Sequence, residues 1–370
     1  MRSSFIIGRI FGIPIGINYS WFIIFFLITV MLSTAYFPLS LGERPMVIYW
    51  VIGLATSVLF FASVVAHELA HSLVSKRHGI PVKSITLFIF GGVARISREV
   101  TSPGTELVMA AAGPLSSVAL AGIFYGIWAL AANFEPVAAM AWYLCFINLF
   151  LACFNMVPGF PLDGGRVLRS IVWWRTGDYL RSTRIASLAG RGFAYLFIAV
   201  GLFFSLFVAL DFLWLVLVGF FLEVVASASY RQAVVRNALQ SYTAAQVMSR
   251  DCSVVPGGLA LRQLVDDYFL HTTRKCVLVS DLGRLKGTVS LREVKTVPQQ
   301  RWETTTVAEA MIPVEKLKPV APDEEALEVL QRMDDEGVHQ LPVVSAGRVL
   351  GLVERESLLQ FVSLHSTVRS

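Results

Sequence analysis

Ala66-His67-Glu68-Leu69-Ala70-His71 places two imidazoles and a carboxylate inside an otherwise apolar run from Met46 to Val74. On a helix, residues four apart lie on the same face, so His67 and His71 can bind one metal ion together. Glu68, next to the first of them, is placed to act on an attacking water molecule. The pattern predicts a zinc site that serves hydrolysis.

A bare match to this pattern also arises by chance, with both histidines simply hydrogen-bonded in a protein core. That alternative is plausible on a soluble helix. Here the preceding residues, Tyr49 to Ala66, are nearly all apolar. Ionisable groups at membrane depth are costly, and their usual explanation is functional. We therefore favour the metal site.

The composition indicates an integral membrane protein. Of the 370 residues, 55% are hydrophobic and 15% are charged, and the mean hydropathy is +0.64. Such a chain is too apolar for a soluble globule. The long apolar runs lie within residues 1–230, whereas residues 231–370 resemble a soluble domain. The net charge of +5 includes no dense basic run, so no direct contact with nucleic acid is expected.

Six apolar runs are long enough to cross a bilayer as helices, which takes about 20 residues each. They are residues 17–37, 46–77, 105–132, 137–157, 186–209 and 211–230. The sequence therefore predicts a membrane bundle of about six transmembrane helices.

Basic residues lie on alternate sides of these runs, which indicates the orientation. They precede the first run and follow the second, fourth and sixth runs: Arg2, Arg9, Lys76, Arg77, Lys83, Arg95, Arg98, Arg166, Arg169, Arg175, Arg181, Arg184, Arg231 and Arg236. The connections on the other side of the membrane contain one basic residue, Arg44. Because positive charge favours the cytoplasmic side, both termini and the C-terminal domain are expected in the cytoplasm of a multi-pass cell-membrane protein.

Residues 82–96 predict a short membrane-associated β-hairpin. The stretch is rich in β-branched and aromatic residues, is broken by Gly91-Gly92, and is too short to cross the membrane as a helix. Non-helical backbone at membrane depth needs cover from protein or water. The hairpin is therefore expected to line the site.

A second informative stretch runs from Asn155 to Arg166, Asn-Met-Val-Pro-Gly-Phe-Pro-Leu-Asp-Gly-Gly-Arg. By the predicted topology it returns to the side where His67 lies. Asp163 can supply a third zinc ligand, since catalytic zinc sites usually have three protein ligands. The alternative is that Asp163 is the N-cap of a helix over residues 164–174. We favour ligation, and capping stays open.

Together, the two motifs resemble the site-2 protease family of intramembrane zinc metalloproteases. The resemblance covers about residues 1–230 and includes Phe11-Gly12-Ile13-Pro14-Ile15 before the first helix. It implies that His67, His71 and Asp163 bind one Zn²⁺ per chain. It further implies that Glu68 is the catalytic acid and base and that Asn155 positions the substrate or stabilises the oxyanion. Ser117 stands near a position where many members have Asn.

What the resemblance implies about function is regulated intramembrane proteolysis. The substrate would be a membrane-anchored protein, cut within or next to a transmembrane segment, and the family precedent is a transcription regulator or its inhibitor. Two other classes are considered, a membrane transporter or channel and a catalytically silent scaffold. A transporter predicts ionisable residues spread through the bundle, whereas here they concentrate in the two motifs. The intact Glu68 argues against a scaffold.

The C-terminal region contains an internal repeat, with units at about residues 244–297 and 307–362. Val247-Met248 matches Ala310-Met311, and Gly287 matches Gly351, at a spacing of about 64 residues. Repeated units of this kind bury their apolar faces against each other. They resemble a tandem pair of CBS motifs, modules that often bind adenine nucleotides and dimerise.

The predicted fold is thus a membrane all-α bundle with a short membrane-associated β-hairpin, plus an α+β cytoplasmic CBS-pair domain. The domains are a transmembrane zinc protease domain at residues 1–230, a linker at 231–243, and a tandem CBS domain at 244–370. In the CBS pattern a Ser or Thr and an Asp three positions later contact the phosphate and the ribose of the nucleotide. Ser290 and Glu293 match this pattern in part, and Glu354 and Ser357 match it poorly. Two roles of the domain are therefore equal alternatives: binding of one adenine nucleotide, or a purely structural role as a homodimer module.

Overall fold

The computed structural model describes residues 4–89, 91–96, 100–131, 133–250, 253–270, 276–281, 284–316, 319–345 and 348–368. Arg2 and Arg98, two of the residues in the charge argument, lie outside them. The contacts within the chain define two compact units, Met1–Tyr230 and Arg231–Ser370.

The first unit is built from long apolar helices. The part of the chain that the structure describes has six helices long and apolar enough to cross a membrane, which confirms the predicted bundle. These six spans are Tyr19–Leu41, Met46–Arg77, Pro103–Leu130, Glu135–Asn155, Tyr179–Phe207 and Leu210–Leu239. The α-helices of this part of the chain are α1 (Tyr19–Met31), α2 (Phe37–Leu41), α3 (Met46–Arg77), α4 (Pro103–Leu130), α5 (Glu135–Asn155), α6 (Asp163–Thr176), α7 (Tyr179–Phe207) and α8 (Leu213–Leu239). A π-helical turn, Leu32–Tyr36, joins α1 to α2, and a 3-10 turn, Leu210–Phe212, precedes α8.

The predicted hairpin is half of a larger sheet. Its strands β3 (Val82–Phe88) and β4 (Gly91–Ile96) are joined by β1 (Ser4–Ile10) and β2 (Ile13–Asn18) in the order β1-β2-β3-β4. β2 pairs with β3 in parallel, with Ile15 opposite Ile85, and the other neighbours are antiparallel. Among the strands that the structure describes, β2 and β3 are therefore the inner strands, and β1 and β4 are the edges of the sheet.

The sheet packs on the helix that carries the histidines. Ile13, Ile15 and Ile85 form a buried cluster against Val65 and Leu69 of α3. These two α3 residues flank His67 in sequence. The sheet is thus fixed beside the predicted site by the burial of apolar side chains.

Local sequence explains where α3 ends. Lys76 and Arg77 lie in its last turn, where positive side chains interact favourably with the helix dipole. Gly79 follows with φ of +75°, a conformation that glycine adopts without strain. Lys76 Nζ also donates to the carbonyl oxygen of Phe11 at 3.1 Å, which ties the β1–β2 turn to this helix end.

The second unit consists of short helices and two small sheets. Its strands are β5 (Ser253–Val255), β6 (Cys276–Asp281), β7 (Arg284–Ser290), β8 (Ile312–Pro313), β9 (Gln340–Ser345) and β10 (Arg348–Glu354). Its helices are α9 (Ala244–Val247), α10 (Leu261–Leu264), α11 (Leu291–Thr296), α12 (Val307–Ala310), α13 (Ala326–Glu336) and α14 (Arg355–Val368), with a π-helical turn at Val265–Leu270 and 3-10 turns at Gln299–Arg301 and Val314–Lys316. The strand orders are β5-β6-β7-β8 and β10-β9.

The first helix of each repeat packs into the core of the other repeat of the same chain. Ala244 at the start of the first repeat belongs to the core of the second, and Val307 at the start of the second belongs to the core of the first. The matched residues found in the sequence meet at these contacts. A Cβ at Gly287 would lie 2.8 Å from Met311 Sδ, and one at Gly351 would lie 3.1 Å from Met248 Sδ.

Candidate metal centre

Three side chains predicted as zinc ligands converge inside the bundle. Asp163 Oδ2 lies 3.1 Å from Nε2 of His67 and 3.1 Å from Nε2 of His71, and the two Nε2 atoms are 3.2 Å apart. Both histidines are buried, and the Asp163 side chain is 13% exposed. Together they form a group that could hold a metal ion.

The spacing of these three atoms suits zinc. Ligand atoms on one face of a tetrahedron, with bonds of about 2.0 Å, lie about 3.3 Å apart. The observed separations of 3.1, 3.1 and 3.2 Å come close to this value. Two imidazoles and one carboxylate are also a donor set that catalytic zinc commonly uses, with a further position left for water. The residues present fit a zinc ion.

Helix α4 supplies the wall behind the two imidazoles. His71 Nδ1 donates to the carbonyl oxygen of Met109 at 2.6 Å, and His67 Nδ1 lies 2.8 Å from the hydroxyl of Ser117. Gly113 lies between these two residues, and a Cβ there would collide with Nε2 of His71 and lie 2.5 Å from Nε2 of His67. This glycine leaves the space in which the two Nε2 atoms face Asp163.

Asp163 is the first residue of α6 and not its N-cap. The N-cap is Leu162, whose side chain forms no capping hydrogen bond. The carboxylate instead faces the histidines. Its Oδ2 atom lies at the same distance from both Nε2 atoms, so one carboxylate oxygen completes the group of three donors.

The loop before Asp163 is held by close backbone packing. Phe160 N donates to the carbonyl oxygen of Ala186 in α7 at 3.1 Å. Gly159 and Gly190 pack so closely that a Cβ on either would collide with the other segment. The Phe160-Pro161 peptide bond is cis. The glycines allow this irregular segment to lie directly against α7.

Glu68 lies beside the ligand cluster, under strand β4. A Cβ on Gly92 would lie 2.5 Å from Glu68 Cγ and 3.4 Å from Oε1. The backbone of the edge strand thus passes directly over this carboxylate. Because residue 92 is a glycine, the Glu68 carboxylate has room beneath the strand.

Asn155 is the last residue of α5 and is half-buried. Its side-chain amide donates to the carbonyl oxygen of Leu151 in its own helix at 3.0 Å. The structure therefore records a bond within α5 for this residue and not one to the histidine cluster. An amide group has two N–H donors, so a second one is left for another acceptor.

Sequence reasoning missed a buried ion cluster next to the centre. Glu106 of α4 is fully buried, and its Oε1 accepts hydrogen bonds from Arg169 of α6, through Nε at 2.9 Å and through Nη2. Arg166 Nε lies 3.8 Å from the same oxygen. Arg169 also donates to the Tyr179 hydroxyl at 2.9 Å. The sequence feature that could have indicated this cluster is a single glutamate in the first turn of an apolar helix.

The predicted nucleotide contacts lie at the start of α11. Ser290 is the N-cap of this helix and forms a capping box with Glu293. Glu293 accepts from the backbone N–H of Ser290 at 2.8 Å and from its hydroxyl. The structure brings the pair together, and each side chain already has a partner within the chain.

Comparison with known proteins identifies relatives of this chain. A family model described as peptidase family M50 matches residues 55–134 and 129–200, and a CBS domain model matches residues 304–364. A relative from Synechocystis sp., named as a candidate zinc metalloprotease, is 37% identical over 97% of this chain and 96% of its own. A similarly named relative from Mycobacterium tuberculosis is 32% identical over 99% and 94%. The solved site-2 protease from Methanocaldococcus jannaschii is 28% identical, covers 61% of this chain and 95% of its own, and has a TM-score of 0.43.

The fold and the site define a multi-pass membrane protein with a zinc-binding donor set. The chain belongs to peptidase family M50, the site-2 proteases, and carries a CBS domain in its C-terminal region. It is accordingly a zinc metalloprotease of this family.

Proposed function

We propose that the protein is an intramembrane endopeptidase that hydrolyses a peptide bond within or next to a transmembrane segment of a membrane-anchored protein. The observation that carries the proposal is the convergence of His67, His71 and Asp163 inside the apolar bundle, with Glu68 beside them. A peptidase that cuts soluble proteins would not need to place its catalytic side chains among membrane-spanning helices.

In this proposal the two histidines and Asp163 hold one zinc ion. Zinc supplies a Lewis acid that makes a water molecule a usable nucleophile near neutral pH. Glu68 removes the proton of the attacking water and returns it to the leaving amine. The free N–H of Asn155 positions the substrate or stabilises the developing oxyanion.

The substrate is expected to bind as an extended strand along β4. A helical segment hides its carbonyl groups in internal hydrogen bonds, so it must unwind before it is cut. The open edge of β4 offers backbone groups for an added strand. Because Gly92 of β4 lies over Glu68, a strand added there would lie close to the proposed acid and base.

The alternating basic residues support an orientation with both termini and the CBS domain in the cytoplasm. Release of a cytoplasmic fragment suits a membrane-anchored transcription regulator, or its inhibitor, as substrate. We also propose that the CBS domain mediates a homodimer and takes at most one adenine nucleotide, near Ser290. Isothermal titration of the full-length protein with ATP and AMP tests the nucleotide, and Ser290→Ala should weaken any binding seen.

The decisive experiment measures zinc content and cleavage of a single-span substrate in detergent for the wild type, Glu68→Gln and Asp163→Ala. We expect one zinc per wild-type chain, full zinc but no cleavage in Glu68→Gln, and loss of zinc in Asp163→Ala. A wild-type protein without zinc would overturn the proposal. Cleavage by Glu68→Gln at the wild-type rate would overturn the role of Glu68.

A further inference from the structure

The hydroxyl of Ser117 lies 2.8 Å from Nδ1 of His67, and the serine is fully buried. A buried hydroxyl needs a hydrogen-bond partner, since leaving it unpaired costs free energy. Within the membrane-spanning part of the chain, the partner recorded for Ser117 is the imidazole that the proposed function assigns to zinc.

The two imidazoles must both present Nε2 to the same ion. An imidazole nitrogen binds metal through its lone pair, so the hydrogen of a neutral ring must be on Nδ1. His71 meets this condition because the carbonyl of Met109 can only accept a hydrogen bond. His67 meets it when the Ser117 oxygen accepts from Nδ1.

One face of α4 holds both acceptors. Met109, Gly113 and Ser117 are four residues apart, so they lie on the same side of the helix. The first and last of them contact the two imidazoles, and the glycine between them leaves room for the Nε2 atoms. The backbone carbonyl is a fixed feature of any sequence, whereas the hydroxyl depends on residue 117.

We propose that Ser117 is a positioning residue that holds the His67 ring with Nδ1 toward α4 and Nε2 toward the metal. This inference rests on the proposed function. Partners that orient a metal-binding histidine typically change metal affinity or activity by about 10- to 100-fold. Ser117 acts through His67 and does not contact the substrate.

The test compares Ser117→Ala and Ser117→Thr with Ser116→Ala in the full-length protein. Ser116 is the matched control because it is on the same helix and its hydroxyl donates to the carbonyl oxygen of Gly113 at 2.7 Å. Zinc affinity is measured by competition with a chelator. The ligand-field absorption of the Co²⁺-substituted protein reports the geometry of the site without depending on activity.

Ser117→Ala should bind zinc about 10- to 100-fold more weakly than wild type and should show an altered Co²⁺ spectrum. Ser116→Ala should match the wild type, and Ser117→Thr, which keeps a hydroxyl, should restore most of the affinity. Equal affinities of Ser117→Ala and Ser116→Ala, with a wild type that binds zinc and cleaves, would overturn this inference alone. Failure of the wild type to bind zinc would instead overturn the proposed function.

Discussion

Arg169 and Glu106 form a buried ion pair that ties the helix bearing Asp163 to the helix that contacts both histidines. Arg169 is in α6, six residues after Asp163, and Glu106 is in the first turn of α4, three residues before Met109. The guanidinium is also stacked over the Phe160 ring, with its carbon 4.8 Å from the ring centroid. The pair therefore joins two walls of the metal centre behind the ligands.

Glu106→Gln should destabilise the protein and loosen the metal centre. The change leaves Arg169 and Arg166 without the carboxylate that balances them. Removing one partner of a buried ion pair costs about 3 to 5 kcal/mol. We expect a lower thermal midpoint in detergent and weaker zinc binding, because α6 is less firmly held against α4.

Glu135→Gln is the matched control. Glu135 also lies in the first turn of a membrane helix and pairs with Arg44 at 2.5 Å, but these side chains are 65% and 40% exposed. Exposed pairs contribute about 0 to 1 kcal/mol. Equal thermal midpoints for the Glu106 and Glu135 variants would contradict the structural role given to Glu106.

Gly113→Ala should abolish zinc binding. The added methyl group would occupy the space beside Nε2 of both His67 and His71. Gly122→Ala on the same helix is the control, since a Cβ there meets no atom within 4 Å. Zinc content by mass spectrometry should fall close to zero in the first variant and stay at the wild-type level in the second. A Gly113→Ala protein that retains zinc would show that the two imidazoles can move aside.

Gly92→Ala should separate metal binding from catalysis. The new Cβ would lie 2.5 Å from Glu68 Cγ, so the carboxylate or the strand must shift. The three atoms nearest to this Cβ all belong to Glu68 and not to a proposed zinc ligand. We expect zinc content to remain and cleavage to fall by at least about 10-fold, which corresponds to 1.4 kcal/mol in the barrier. Val93→Ala, at an exposed position of the same strand, should leave both unchanged. Loss of zinc from Gly92→Ala would mean that the strand supports the ligands themselves.

The sequence was informative where a short spacing carries the chemistry. His67 and His71 are one helical turn apart, so their joint site follows from helix geometry. Asp163 was predicted to join them because it follows a rigid Pro- and Gly-rich stretch on the predicted side of the membrane, and its carboxylate lies 3.1 Å from both histidines. The hairpin at residues 82–96 was found from its β-branched residues and its paired glycines.

The contacts that the sequence did not predict join residues that are far apart in the chain. β2 pairs with β3 some 70 residues later, and nothing within residues 13–18 indicates a parallel partner. Ser117 and Met109 contact histidines 50 and 38 residues away. The same is true of Glu106 and Arg169, which are 63 residues apart. Periodicity describes one element at a time, so contacts of this kind require the packed structure.

In the second unit, Thr288 and Gln340 should be energetically coupled. The amide of Gln340 in β9 donates to the Thr288 hydroxyl in β7 at 2.9 Å, and both residues are buried. Thr288→Val leaves the amide unpaired, which costs about 1 to 3 kcal/mol, and Gln340→Leu removes the donor from the hydroxyl. The double variant has no unpaired group, so its loss of stability should be less than the sum of the single losses by about 0.5 to 3 kcal/mol.

Rates of limited proteolysis within residues 231–370 of the full chain measure the stability of each variant. Strictly additive losses would mean that this hydrogen bond contributes nothing to the joining of the two repeats.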